Sequence, residues 1–489
     1  MSNTQADPTA IQRFGQAVSR RVERWMPSPF LFAIILTYIA AVAAFLSEGA
    51  GATEIATSWY GGFWDLLEFG MQMVLILVTA FVVAYHPWVK SGIDRLIRIP
   101  NNGTQAVLLV GGVAMLTGWI SWGLGLIVGA IFAREMGELA DQKGMAVHYP
   151  LLCVAGYLGM SLTWGWGMSS SAALLQATDG NIFMEQGVVD NVIGATQTIF
   201  HPYALTLTVV SLVYALILLY LLNPPKENRS GISQYVDFDG GDDELVEEES
   251  LDAGETIDED PDVAADGGDD LAEDGGPDPA DRINNSKVLG GIIALTGIAL
   301  TINAFVTQGL DALDLNVLNF GFIALGLALY TSPIDYLREF YEAVESSAGI
   351  ILQVPFYAGI IGIMTGTGLV DTITEFLLSI ATPATYPVIA WITAGVLNVF
   401  VPSAGGEWTI IGGPMMEAGQ QLGVENGQTI MAYAVGDAHT NLMQPFWAIP
   451  LLAITGMRAR DMFGYAITMM ILLTPYLAII LYVLPYEMF

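Results

Sequence analysis

The sequence predicts an all-α polytopic membrane protein with two inverted-topology repeats, re-entrant hairpins and broken helices. Three observations predict this fold class. Apolar segments of about 20 residues recur along the 489-residue chain, long enough to cross a hydrocarbon core of ~30 Å. Polar interruptions of these segments recur about 281 residues further along the chain. Positively charged loops assign opposite orientations to the two halves.

The composition agrees with this fold class. Hydrophobic residues make up 53% of the chain and charged residues only 13%. The net charge is −33, and residues 237–281 hold 21 of the 49 acidic side chains without any Lys or Arg. So acidic a chain is typical of proteins from salt-loving organisms, and it excludes nucleic-acid binding, which needs a basic surface. Cys153 is the only cysteine, so an intrachain disulfide is excluded.

The chain divides at its changes of composition. The predicted order is a cytoplasmic N-terminal segment at 1–28, a first transmembrane repeat at 29–224, an acidic disordered cytoplasmic linker at 225–286, a connecting transmembrane helix at 287–309, and a second inverted repeat at 310–489. In the first repeat we expect spans near 29–48, 64–85, 149–177 and 197–222, with a hairpin at 104–133. In the second we expect spans near 312–330, 346–366, 428–456 and 462–485, with a hairpin at 386–416. The linker has too little apolar content to fold.

Loop charges set the orientation of these elements. Four arginines precede the first span and place the N-terminus in the cytoplasm. Arg134 and Lys143 follow the segment 104–133 and stay inside only if that segment enters the bilayer and turns back. The connecting helix then inverts the second repeat, and the C-terminus is predicted to lie outside. We expect a multi-pass protein of the plasma membrane.

Matching helix breaks predict a secondary active transporter. The matched segments are 70–72 with 349–353, 119–125 with 400–406, and 162–170 with 443–449. Backbone groups freed by such breaks must be satisfied by protein, ions or substrate near the bilayer midplane. Glycines at the hairpin tips expose amides at helix N-termini, which suit a carboxylate, and nearby carbonyl and hydroxyl oxygens suit Na⁺.

The candidate substrate-binding residues are those at the tips, in the broken spans and at the two matching glutamines. They are Gln72, Trp122, Gly123, Gly125, Thr163, Trp164, Gly165, Ser169, Ser170, Gln353, Ser403, Gly405, Gly406, Trp408, Asn441 and Gln444. For each polar member, hydrogen bonding between helices is the alternative role. The tips could also be packing kinks filled by water.

Three ionisable residues in the second repeat are candidates for coupling to a cation. Glu407 lies at a hairpin tip, and Asp437 and His439 lie in a broken span. Burying a charge in a bilayer is costly, so such residues tend to be functional. Na⁺ or H⁺ is the expected coupling ion, and the residues do not decide between a symporter and a cation/proton antiporter. The absence of phosphate-loop, H-E-x-x-H and G-x-S-x-G motifs from the sequence argues against an ATP-driven engine and a membrane-embedded enzyme.

The chain resembles the short-chain fatty acid transporter family, of the AtoE type, within the ion-coupled carboxylate transporter superfamily. The resemblance covers most of the chain outside 225–285. It rests on the segments 63–73, 122–135, 162–165, 354–359, 401–408 and 444–450. It implies uptake of short monocarboxylates such as acetoacetate or butyrate, with no cofactor and a possible homo-oligomer in the lipid bilayer. Glu407 stands where the family pattern has a His, and 437–439 stand where it has Glu-Gln-Trp, so the resemblance leaves the coupling ion open.

Overall fold

Regular secondary structure in the described residues is helical throughout. The computed structural model describes residues 29–236, 279–330, 332–344, 347–400 and 404–487. The helices of the first part are α1 (Pro29–Ser47), α2 (Ala52–Gly62), α3 (Leu67–Tyr85), α4 (Pro87–Leu96), α5 (Gly103–Ile120), α6 (Trp122–Gln142), α7 (Tyr149–Leu158), α8 (Ser171–Ala177), α9 (Ile182–Glu185) and α10 (Pro202–Leu222). Those of the second part are α11 (Pro279–Asn284), α12 (Lys287–Gln308), α13 (Leu315–Tyr330), α14 (Pro333–Val344), α15 (Ala348–Thr367), α16 (Leu369–Ile380), α17 (Tyr386–Phe400), α18 (Ala404–Gln421), α19 (Asn426–Thr440), α20 (Pro445–Thr455) and α21 (Ala459–Val483).

Local chemistry explains where several helices begin and end. The Asn102 side chain accepts the Gln105 amide at 3.0 Å and caps the start of α5. Pro202 occupies the first position of α10, where its missing N–H is not needed. Gly368 separates α15 from α16 in the left-handed conformation, with φ +81°, which a side chain would make unfavourable.

Six helical segments of the described chain are long and apolar enough to cross a membrane. They are Leu67–Tyr85, Gly103–Ile120, Pro202–Leu222, Arg282–Ala312, Ala348–Thr367 and Ala459–Val483. Shorter apolar helices add to them, including Leu315–Tyr330. Large apolar side chains on α12, such as Ile293 and Val306, are exposed on the outside of the molecule, as expected for a surface that faces lipid. The predicted all-α polytopic fold is confirmed.

The second part of the chain repeats the helix order of the first. α14 begins 281 residues after α2, and α15 begins 281 residues after α3. The pairs α4–α16, α5–α17, α6–α18 and α7–α19 keep this spacing to within four residues. Contacts between the parts also match, because α3 packs against α13 and α14 while α15 packs against α1 and α2.

Two of the three pairs of polar interruptions lie at helix breaks; the predicted breaks at 70–72 and 349–353 are wrong, because α3 and α15 continue through them with their glutamines bonded to neighbouring side chains. α5 and α6 pack against each other and join at Ser121, forming hairpin 1. α17 and α18 form hairpin 2, whose turn at 401–403 lies outside the described residues; the Tyr386 hydroxyl near the start of α17 donates to the Met415 carbonyl near the end of α18. α7 continues into a π turn, Gly159–Thr163, and a 3-10 turn, Trp164–Trp166, before α8. α19 ends at Thr440, before α20.

The first residues of the predicted linker are ordered against the first repeat. The Arg229 side chain donates to the Pro224 carbonyl at 2.8 Å, and the Tyr149 amide donates to the Ser230 carbonyl at 2.8 Å. Ile232 is buried beside Gly137 of α6. The acidic remainder of the linker, 237–278, and the N-terminal segment 1–28 lie outside the described residues.

Candidate substrate and cation site

Hairpin 1 brings two helices together at their glycines. A Cβ added at Gly125 would lie 2.3 Å from the Gly118 Cα, so only glycine allows this approach. The Trp122 amide donates to the Ser169 hydroxyl at 2.8 Å. The amides of Gly123 and Leu124 follow in the same first turn, where a helix offers no acceptor of its own. Gly123 itself packs against α3.

Indole rings surround the tip of hairpin 1. The Trp122 ring lies 6.4 Å from Trp164 and 5.5 Å from Trp447, between ring centroids. Trp164 is buried, and its indole N–H has no hydrogen-bond acceptor among the described residues. The buried Ser121 hydroxyl also has no partner there. Together with the first-turn amides, these groups place donors among buried aromatic rings, a chemistry that suits a carboxylate.

The first broken helix uses its hydroxyls mainly for packing. The Thr163 hydroxyl donates to the Met115 carbonyl of α5 at 2.6 Å. The Ser170 hydroxyl accepts the Ala173 amide at 3.5 Å and caps α8. Gly165 lies against α19, where an added Cβ would be 2.4 Å from the Ala434 carbonyl oxygen. The break of the first part of the chain therefore touches the second part directly.

The second broken helix is bound to the first by side-chain amides. The Asn441 amide donates to the Met160 carbonyl at 3.2 Å, and these two residues are separated by the repeat spacing of 281. The Tyr157 hydroxyl donates to the Asn441 carbonyl at 3.0 Å. The Gln444 amide donates to the Asn398 carbonyl at 3.2 Å and so joins the break to α17. These amides hold the two breaks together in this conformation.

The turn of hairpin 2 at 401–403 lies outside the described residues, and it includes the candidate Ser403. The described residues resume at Ala404, where α18 begins. Gly405 packs against the Phe69 ring of α3. The Gly406 carbonyl accepts the Thr409 hydroxyl at 2.7 Å. The buried Trp408 ring packs 4.6 Å from Tyr433, whose hydroxyl donates to the Ala404 carbonyl at 2.8 Å. This contact fixes hairpin 2 to α19.

Hairpin 2 and α19 each carry one buried carboxyl group. Glu407 is 1% exposed, and the Tyr433 hydroxyl beside its carboxyl group also donates to the Ala404 carbonyl. Asp437 is 2% exposed and close enough to interact electrostatically with Glu407. His439 points away from this pair, because its Nε2 lies 3.0 Å from the Met470 carbonyl of α21 and its ring packs against Trp391. Neither carboxyl group therefore has a basic partner among the described side chains.

The two glutamines at matching positions, Gln72 and Gln353, form hydrogen bonds with neighbouring side chains. The Gln72 amide donates to the Asn316 side chain at 2.9 Å, and the Gln72 carbonyl accepts from Asn319 at 3.0 Å. Gln353 accepts the Tyr357 hydroxyl at 3.1 Å, and Tyr357 interacts electrostatically with Glu407. In this conformation Gln72 joins α3 to α13, whereas Gln353 is connected to the carboxyl pair through one tyrosine.

Two further residues of the site were missed by the sequence reasoning. Gln176 is completely buried on α8, which packs against α18, and neither end of its side-chain amide has a partner in the described chain. Asn398 of α17 donates to the Asp437 carbonyl at 2.7 Å. The residue 281 positions after Gln176 is Met457, which is apolar, so Gln176 is not part of a repeated polar pair. A single polar residue in an otherwise apolar segment was the available signal.

Comparison with known proteins gives a family. The family model described as short chain fatty acid transporter matches residues 10–484. A candidate short-chain fatty acid transporter of Escherichia coli strain K12 is 35% identical over 458 residues, covering 94% of this chain and 96% of the relative. A protein of the same description from Haemophilus influenzae is 33% identical over 478 residues, covering 97% of this chain and all 100% of the relative.

Two solved structures share the fold at low sequence identity. The Alcanivorax borkumensis YdaH transporter, whose crystal structure has an unusual topology, gives a TM-score of 0.53 at 15% identity and covers 93% of this chain and 98% of its own. Neisseria gonorrhoeae MtrF, of a class of antimetabolite efflux pumps, gives 0.53 at 16% identity and covers 95% and 96%. The family match over nearly the whole chain, together with the two relatives above 30% identity, shows that this membrane protein belongs to the short-chain fatty acid transporter family.

Proposed function

We propose that this chain carries short monocarboxylates, such as acetoacetate or butyrate, across the plasma membrane by ion-coupled symport with alternating access. The observation that carries the proposal is a division of chemistry between the two hairpins. Both hairpins hold buried donors without described partners, at Trp119 and Ser121 in hairpin 1 and at Trp391 and Trp408 in hairpin 2. Among the described residues of the two hairpins, the buried carboxyl group is Glu407 of hairpin 2. A carrier that moves an anion together with a cation needs both.

The anion is assigned to hairpin 1. A carboxylate there would accept from the first-turn amides of Gly123 and Leu124 and from the Trp164 indole N–H, while its alkyl chain would lie against the rings of Trp122 and Trp447. Helix N-termini and indoles in a low-dielectric site bind a carboxylate strongly. The small size of this surface agrees with a short chain and a single carboxylate.

The coupling ion is assigned to Glu407 and Asp437. An ionised carboxylate in a dry site needs a positive partner or a proton. The described groups that interact electrostatically with Glu407 are Asp437, Tyr433 and Tyr357, and none of them is basic. Binding of Na⁺ or H⁺ would remove this cost.

Alternating access is supported by the paired packing of the two parts. Asn441 touches Met160, its equivalent at the repeat spacing, and such a contact is expected at an axis that relates two repeats. We infer that the repeats are inverted, as the loop charges predict, so that each hairpin opens towards a different side of the membrane.

Counterflow in proteoliposomes tests this function. Vesicles loaded with unlabelled acetoacetate should accumulate labelled acetoacetate transiently, above the level of protein-free vesicles, and an imposed Na⁺ or proton gradient should change the extent. Acetoacetate is chosen because its keto group makes the free acid less able to cross lipid unaided. Cation exchange without any carboxylate would indicate the antiporter instead. Absence of counterflow under every gradient would contradict the proposal.

A further inference from the structure

An acidic cleft of about 170 Å³ opens beside hairpin 2. It lies between α15, α16 and α18, and its walls include Thr365, Asp371, Thr409, Gly413 and Glu417. Asp371 and Glu417 are close enough to interact electrostatically, and no Lys, Arg or His lines the cleft. A concave surface of one charge sign concentrates counter-ions, so this cleft attracts cations.

The helices that line the cleft also carry Glu407 and its neighbour Tyr357. Ile410 lines the cleft and lies about one helical turn from Glu407 on α18, a rise of about 5 Å. On the facing helix α15, Ile361 lines the cleft and Tyr357, one turn away, interacts electrostatically with Glu407. About one helical turn therefore separates the cleft from Glu407 on α18 and from Tyr357 on α15.

The surroundings of Glu407 favour its neutral form. The side chain is 1% exposed, and the donor beside its carboxyl group, the Tyr433 hydroxyl, also donates to the Ala404 carbonyl at 2.8 Å. The titratable groups that face it are Asp437 and Tyr433 from α19 and Tyr357 from α15, and none of them is basic. The other elements packed against α18 add Asp371, which interacts with Glu417. They also add Tyr386, which donates to the Met415 carbonyl. A buried carboxylate without a basic partner, beside a second carboxyl group, is destabilised there, and protonation removes that cost.

We propose that the coupling ion is a proton, that Glu407 carries it, and that it arrives from outside through the cleft beside α16. This inference rests on the proposed transport function and gives the identity and route of its coupling ion. An external proton binds the Glu407 carboxylate, and the neutral acid crosses with the bound monocarboxylate. The proton is then released to cytoplasmic water, so that one proton and one anion move without net charge. The cleft lies at the end of α15 that loop charges predict to be extracytoplasmic.

The decisive variant is Glu407→Gln, which keeps the shape of the neutral acid and cannot release a proton. In proteoliposomes with equal Na⁺ on both sides, an acidic exterior should drive acetoacetate accumulation by the unchanged protein and acidify the lumen, as reported by an internal pH dye. Glu407→Gln should lose gradient-driven accumulation by about tenfold or more, whereas Glu375→Gln should keep it. Glu375→Gln is the matched control, because Glu375 is exposed on α16 and does not line the cleft.

Two results would overturn the inference: gradient-driven accumulation and lumen acidification by Glu407→Gln equal to those of the control, or accumulation by the unchanged protein that follows Na⁺ and ignores pH. Failure of counterflow in the unchanged protein would instead remove the transport function itself. If Glu407→Gln does not fold, the pair D371N/E417Q decides. It should raise the external proton concentration for half-maximal uptake about threefold relative to Glu375→Gln. An unchanged value would overturn the inference.

Discussion

At the scale of single residues, the two hairpins differ in their buried ionisable groups. Trp164 has an indole N–H without a described acceptor beside hairpin 1, and Glu407 places a buried carboxyl group without a basic partner in hairpin 2. Burying an unsatisfied neutral polar group costs about 1–3 kcal/mol, and a charge costs more. Such groups persist where a ligand supplies the partner during part of the working cycle. We therefore expect the anion at hairpin 1 and the cation at hairpin 2.

Replacement of Trp164 by Phe tests the anion site. The variant keeps a ring and removes the N–H, so the acetoacetate concentration for half-maximal counterflow should rise about tenfold, because a hydrogen bond to a charged group contributes about 1.5 kcal/mol. Trp59→Phe is the matched control, since the Trp59 indole N–H is also buried and without a described partner but packs against Gly359 of α15, not against hairpin 1. Equal shifts in the two variants would contradict the assignment.

Residue type and spacing identify the polar positions of the breaks but not their partners. Thr163, Ser170, Asn441 and Gln444 were predicted to bind substrate, and in this conformation their side chains bond to backbone groups. Hydroxyl and amide groups in membrane helices serve either role at similar energy. The sequence therefore indicates where the polar groups lie, while the distinction between used and unused groups requires their three-dimensional neighbours. Their role in binding stays a prediction.

At the scale of helical elements, Asn398 joins hairpin 2 to the second broken helix. Its side-chain amide nitrogen lies 2.7 Å from the Asp437 carbonyl, 2.9 Å from the Thr440 hydroxyl and 2.9 Å from the Asn441 side-chain oxygen. The end of α19 leaves carbonyls without intrahelical donors, and Asn398 supplies one of the missing donors. We expect α17 and the end of α19 to move as one unit.

Asn398→Ala should uncouple these elements. Loss of the amide should reduce stability by about 1–2 kcal/mol, measured as a lower unfolding temperature in detergent, and should lower counterflow by more than the control. Asn316→Ala is the control, because it removes a different interhelical amide bond, to Gln72. Counterflow that is unchanged in Asn398→Ala, or equally reduced in both variants, would contradict this role for Asn398.

Long apolar helices were predicted from the sequence, whereas the short helices were not. The span near 346–366 corresponds to Ala348–Thr367, and the hairpin at 104–133 to α5 and α6. The short helices, which have 10 to 12 residues, were not predicted; they are α2, α4, α14 and α16. A search for membrane spans requires about 20 apolar residues, so it passes over helices of this length. Their matching positions in the two parts of the chain were the available signal for these short helices.

At the scale of the whole molecule, the two parts pack as equivalents. α3 contacts α13 and α14, α15 contacts α1 and α2, and the two broken helices meet at Met160 and Asn441. The repeat spacing of the sequence reappears in the helix boundaries, because the interruptions at 119–125, 162–170 and their partners end helices, whereas 70–72 and 349–353 lie inside α3 and α15. The inversion is predicted from the loop charges, which set orientation during insertion.

Single-cysteine labelling at Lys90 and Asp371 tests the inverted arrangement most directly. These exposed residues are separated by the repeat spacing of 281, on the equivalent helices α4 and α16, and Cys153 is buried and can be replaced by Ser. In intact cells, a membrane-impermeant maleimide should label Asp371→Cys and spare Lys90→Cys, and permeabilised cells should show both labelled. Labelling of both variants from the same side of the membrane would contradict the inverted repeats, and with them the alternating-access account.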